Sequence, residues 1–117
     1  MKGLEGELQA VKYLEENGYK ILKRNFRCRT GEVDIICEDE QVLYFIEVKT
    51  WSTLGFETME QGIDRKKMNK ILQTSRYFLL QYPDYNERNI QYGLVYIGSH
   101  GQKLTFLPNA FSETGYS

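Results

Sequence analysis

Histidine and tryptophan each occur once in this 117-residue sequence, cysteine only twice, and a run of about 18 apolar residues not at all. The one histidine, His100, falls in a Gly98-Ser99-His100-Gly101 turn and is given no catalytic role. Cys28 and Cys37 form no C-x-x-C pair and have no second pair beside them, so neither a zinc site nor a disulfide framework is indicated, and both are read as reduced. Without a long apolar run there is no membrane-spanning helix to expect. The opening stretch MKGLEGELQAVKYLEE is amphipathic rather than signal-like, so the expectation is a cytoplasmic protein with no membrane partner. Repeats, linkers and low-complexity tracts are also missing, and residues 1–117 read as one domain, long enough for one hydrophobic core. Nor is there an excess of positive charge. A formal net charge of −1 removes the strongest compositional sign of a dedicated nucleic-acid binder, because phosphate contacts supply most non-specific affinity.

The charge that is present is unevenly spread. Lys20, Lys23, Arg24, Arg27 and Arg29 follow one another with no acid between them, and Arg65, Lys66, Lys67 and Lys70 cluster further on. Acids gather in Glu38-Asp39-Glu40 and around residues 5–16. A basic rim around an acidic centre would serve a phosphodiester substrate. The plainer alternative is that these are the solvated faces of two surface elements.

The acidic centre is found in GEVDIICEDEQVLYFIEVKT, residues 31–50. It reads as two apolar strands, 32–37 and 42–49, joined by a polar turn. Each carries charge where a buried strand should carry none: Asp34 among Val33, Ile35 and Ile36, then Glu47 and Lys49 after Leu43, Tyr44, Phe45 and Ile46. Strand side chains alternate faces, so Glu47 and Lys49 share one face with Leu43 and Phe45. Both faces of this strand are apolar, which predicts a central position. A four-residue loop over 39–42 predicts that Asp34 stands opposite Glu47. Buried carboxylates must be paired or must hold a cation. Oxygen ligands with a lysine nearby suit Mg²⁺ or Mn²⁺.

Around this hairpin, residues 3–17 read as a helix with Leu4, Leu8, Val11 and Leu14 on one side and Gly18 as its stop. Glu7 falls inside that apolar arc, where a glutamate is uncommon and the plain reading is a boundary residue reaching back to water. Residues 19–28 suggest an edge strand with a positive face. A loop over 51–56 is a candidate flap, on which Trp51 packs or from which it stacks on a base. The clearest helix carries Met68, Ile71, Leu72, Ser75, Phe78 and Leu79 at helical spacing, starts between 57 and 64 and stops before Pro83. Lys67 lies at the edge of its apolar stripe, so it is the helix lysine best able to reach the carboxylates, whereas Lys66 and Lys70 point away. Strands at 90–97 and 103–107 complete the pattern, and residues 112–117 read as frayed. The order helix, three strands, helix, two strands predicts an α/β sandwich: a mixed sheet of about five strands with a helix on each face.

Asp, about a dozen residues, then Glu-x-Lys at a strand end resembles the PD-(D/E)XK nuclease superfamily. The flanking words narrow the resemblance. Gly6-Glu7, Gly18-Tyr19 with Ile21-Leu22, Arg24-Asn25, Gly31-Glu32-Val33-Asp34, Phe45-Ile46-Glu47-Val48-Lys49, Gly55-Phe56, Lys67 and Asn109-Ala110-Phe111 fall in order. Together they resemble the YraN-like family, small bacterial predicted endonucleases similar to archaeal Holliday-junction resolvases. Two positions depart from the pattern: Trp51 stands where an arginine is usual, removing a phosphate contact, and Tyr92-Gly93 stands where Phe-Asp is usual.

The resemblance implies a restriction-endonuclease-like αβββαβ core and a metal-dependent endonuclease acting on DNA, with branched or junction DNA and a homodimer suggested. Asp34, Glu47 and the Val48 carbonyl would hold Mg²⁺ or Mn²⁺, with Glu7 as a ligand directly or through water. Glu7, Asp34, Glu47 and Lys49 would form the catalytic set, and Lys67, Arg24, Arg27, Arg29 and Lys66 would hold the nucleic acid. Two rivals stand beside this reading: a nucleic-acid-binding module that keeps the fold and cuts nothing, and a structural ion-pair network without metal.

Overall fold

The structure is a computed structural model, and it describes residues 2–51, 65–98, 103–112 and 115–116. In chain order it contains α1 (Lys2–Glu16), β1 (Lys20–Cys28), β2 (Gly31–Glu38), β3 (Val42–Trp51), α2 (Arg65–Gln81), a single 3₁₀ turn (Pro83–Tyr85), β4 (Asn89–Gly98), β5 (Leu104–Ser112) and β6 (Gly115–Tyr116). The strands lie side by side in sequence order. All neighbours are antiparallel except β3 and β4, which run parallel from Val42↔Asn89 to Trp51↔Gly98. A parallel pair needs a long crossover, and α2 lies within it. The α/β architecture expected from the sequence is therefore the one observed: a mixed sheet of five long strands with a helix on each face. Among the described residues no helix is long and apolar enough to cross a membrane.

The two faces carry separate cores because β3 is apolar on both. Leu43 and Phe45 pack with Met68, Ile71, Leu72 and Phe78 of α2. Tyr44 and Ile46 pack with Ala10 and Leu14 of α1 and with Ile35, Val95 and Ile97. Helix α1 comes close to the sheet at Gly6, where an added Cβ would stand 2.8 Å from the Thr50 side chain. It ends at Gly18, whose φ of 91° suits glycine, and the Tyr19 amide turns back onto the Leu14 carbonyl at 3.0 Å. Glu7, Ala10 and Leu14 are buried, while Leu8, expected on the apolar side, is half exposed.

Tyr92 is part of the core on the α2 side. Its ring stacks on Phe45 and Phe111, and its hydroxyl lies 2.8 Å from Ser75 Oγ. Strand β5 runs further than the 103–107 expected, because the register with β4 shifts between Tyr92 and Leu94 and the irregularity accommodates Pro108. The end of the chain is correspondingly less frayed than its composition predicts, since Phe111 pairs with Tyr116 and Ser112 with Gly115. Trp51 is the last residue of β3 rather than the first of a loop. The rest of the expected flap, the start of the second helix before Arg65 and the turn holding His100 lie outside the described residues.

Candidate functional site

The β2–β3 hairpin fixes the register of everything near the site. Asp39 closes its turn: its amide donates to the Val42 carbonyl, its Oδ1 accepts the amides of Gln41 (2.9 Å) and Val42 (2.8 Å), and its Oδ2 accepts the Tyr44 hydroxyl (2.9 Å). The ladder then runs from Glu38↔Leu43 to Ile35↔Ile46. One step further, Asp34 stands opposite Glu47, as the loop length predicts. There backbone pairing stops, and the Val48 amide donates instead to Asp34 Oδ2 at 2.8 Å. On the other side of β2 the same position is irregular. Arg24 pairs with Ile35 and Phe26 with Val33, but the ladder skips Asn25 and Asp34, and Asn25 has a φ of 51°. Side-chain alternation breaks as well: Val33 belongs to the core under α2, whereas Ile35, of the same parity, belongs to the core under α1.

Asp34 is thus released from regular pairing and held against Glu47, which is itself only 5% exposed. Burial, and then the neighbouring charge of Glu47, push the Asp34 carboxyl up to about 7, against the opposing pull of the Val48 amide and Lys67. Lys67, from the first turns of α2, forms an ion pair with Glu47 Oε2. Burial works against the Lys67 ammonium, but the Glu47 carboxylate outweighs it and raises the lysine above its ordinary value. Lys67 therefore reaches the carboxylates, as its place at the edge of the helix stripe implies. Lys49 shares the face of Glu47 and is half buried, yet among the described residues no ion pair joins it to either carboxylate. The ammonium that meets the pair is that of the helix, not that of the Glu-x-Lys motif.

Glu7 is placed differently. It is 6% exposed and enters from α1, and its Oε1 accepts Arg24 Nε (3.1 Å), Arg24 Nη2 (3.0 Å) and Asn25 Nδ2 (2.8 Å). Among the described residues no three His, Cys, Asp or Glu side chains form a metal-holding group. Among the described residues Asp34 and Glu47 meet as a pair, and Glu7 is anchored on Arg24 and Asn25 of β1. Glu47 is buried and Asp34 partly so, and these two carboxyls are the oxygen donors that could hold a divalent cation such as Mg²⁺ or Mn²⁺, ions that keep several water ligands. Val48 joins the site through its amide.

Of the basic residues, Arg24 is committed to Glu7, and Arg27 pairs with Glu32 at 2.9 Å while most of its side chain stays exposed. Arg29 and Lys66 are exposed. The residue that sequence reasoning left without a role is Asn25. A signal was there to read, because asparagine is depleted inside strands and is the non-glycine residue most tolerant of positive φ.

Comparison with known proteins places the chain in a family. The model of an uncharacterised protein family, UPF0102, matches residues 6–97. A UPF0102 protein of Persephonella marina is 39% identical over 111 residues, covering 95% of this chain and 93% of its own length. Another from Campylobacter hominis is 40% identical over 107 residues (92% and 90%), and one from Legionella pneumophila is 33% identical over 110 (94% and 93%). The matched residues span Glu7, Asn25, Asp34, Glu47, Lys49 and Lys67, and the chain belongs to the UPF0102 family, the YraN family that its motifs resemble.

Proposed function

We propose that this protein is a metal-dependent endonuclease that hydrolyses phosphodiester bonds of DNA, with branched or junction DNA as its substrate. The observation that carries the reading is the opposition of Asp34 and Glu47 where the β2–β3 ladder opens, with Lys67 on the pair and Lys49 one step along the same face. Asp34 and Glu47 would hold Mg²⁺ or Mn²⁺, with the Val48 carbonyl as a further donor. The bound ion would polarise the scissile phosphate and acidify a coordinated water. Lys49, one step along the Glu47 face, would set an ammonium against the negative charge developing on the phosphate oxygens. Lys67 would contact a phosphate from beside the carboxylate pair, and Arg27, Arg29 and Lys66 would offer the surface that receives the backbone. A symmetric junction is cut at paired positions, which favours a homodimer presenting two such sites.

A second reading is a nucleic-acid-binding module that keeps the fold and cuts nothing, favoured by Trp51 where an arginine is usual and by the net charge of −1. Incubation of micromolar protein with a panel of junctions, flaps and single strands in Mn²⁺ separates the two. Cleavage that is abolished by EDTA and by Asp34→Asn supports the nuclease. DNA that is bound and left uncut supports the module.

A further inference from the structure

Glu7 is tied to β1 through one of its two carboxylate oxygens: Oε1 accepts three N–H groups, two from Arg24 and one from Asn25. The Arg24 guanidinium also neutralises its charge. It approaches from the α1 side, with Ala10 and Leu14 following on the same helix face, whereas Glu47 shares the β3 face of Phe45 under α2. Its partner Asn25 is the one non-glycine residue with positive φ among those described, and it stands opposite Asp34. Asn25 and Asp34 are the facing residues that the β1–β2 ladder leaves out, with the register unchanged on either side of them. The broken side-chain alternation of Val33 and Ile35 marks the same point on β2.

We infer that Glu7 and Asn25 form a latch in which α1 holds β1 with Asn25 at positive φ, keeping β2 out of regular pairing at Asp34 so that the Asp34 carboxylate can take the Val48 amide and face Glu47. Glu7 is then a positioning residue acting through Asn25. Asparagine suits the part because it tolerates the left-handed conformation and supplies the Nδ2 donor. Without the link, β1 relaxes toward an unbroken ladder and Asp34 loses its fixed position. The inference builds on the reading of Asp34 and Glu47 as the metal pair, but the latch itself is observable without any metal.

The test is amide hydrogen exchange on the full chain, comparing wild type with Glu7→Ala, Glu7→Gln, Asn25→Ala and Asn25→Gly, alongside Mn²⁺ titration by calorimetry. Removing the link should speed exchange of the Val48 amide roughly tenfold in Glu7→Ala and Asn25→Ala, while Val95 and Tyr96 of β4 stay within about twofold of wild type. Glu7→Gln keeps an oxygen for Asn25 Nδ2 and should hold Val48 within about threefold. Asn25→Gly keeps the backbone conformation but not the link, so it carries the test if an alanine variant does not fold. Its Val48 exchange should also rise. Asn25→Ala removes no metal-ligating carboxylate, yet it should weaken Mn²⁺ binding about fivefold or more. The latch is overturned if Val48 is unaffected, if Val48 and Val95 accelerate together, or if Glu7→Gln is as damaging as Glu7→Ala. Wild type that binds no Mn²⁺ would refute the metal pair alone, because the exchange rates still decide the latch.

Discussion

Lys67 of α2 places its ammonium on Oε2 of Glu47, a buried carboxylate oxygen that a divalent cation at the Asp34–Glu47 pair would also use. A divalent cation bound there would compete with Lys67 for that oxygen. Lys67→Met should tighten Mn²⁺ binding several-fold in calorimetry, since the competing charge is gone. Without metal, the same variant leaves Glu47 uncompensated and should lose about 1–2 kcal/mol in urea melts, a cost limited by the half-exposed position of the lysine. Weaker Mn²⁺ binding in Lys67→Met would mean that the lysine supports the ion rather than competing with it.

Asp34 contributes to the pH dependence of the metal-free protein. Its folded-state pKa, about 7, lies above its ordinary value of 3.8, so between these limits the native state binds a proton more tightly than the unfolded chain. Stability at this residue is present below about pH 4, falls as pH rises toward 7, and levels off above it. Asp34→Asn removes that slope. An asparagine oxygen can still accept the Val48 amide, so the variant should be at least as stable as wild type at pH 7. It should also show no shift in melting temperature with Mn²⁺. A loss of more than about 2 kcal/mol would show that the ionised Asp34 serves a structural network.

Lys49 and the carboxylates should separate by step. Lys49→Ala should keep Mn²⁺ affinity within about threefold of wild type and lower the single-turnover cleavage rate by a factor on the order of a hundred or more. Equal losses in binding and cleavage would make Lys49 a structural residue.

The DNA surface is better probed at Arg29 and Lys66 than at Arg24, whose reversal would also break the Glu7 contact. Arg29→Glu with Lys66→Glu should weaken binding to all sequences alike and reduce the slope of affinity against salt by roughly the number of phosphate contacts removed. An unchanged slope in fluorescence anisotropy titrations would place the DNA elsewhere.

The hairpin was legible because its information is local. A four-residue loop and strict alternation fix Asp34 against Glu47 without reference to the rest of the chain. Lys67 was legible from the edge of a strong helical stripe. The partners of Glu7 were not, because Arg24 and Asn25 lie 17 and 18 residues away and meet it only through the angle at which α1 crosses β1. The reach of β5 was hidden by Pro108, which reads as a strand end until the irregular pairing opposite Gly93 makes room for it. The choice between Lys49 and Lys67 as the ammonium on the pair was likewise a question of tertiary distance, and alternation alone could only place Lys49 on the correct face.

The central claim, that Asp34 and Glu47 together hold a divalent cation, is tested most directly by anomalous diffraction from a crystal soaked in Mn²⁺. The account predicts an anomalous peak between the Asp34 and Glu47 carboxylates, with the Lys67 ammonium displaced from Glu47. No peak at that position, with Lys67 still on Glu47 at saturating Mn²⁺, would contradict it.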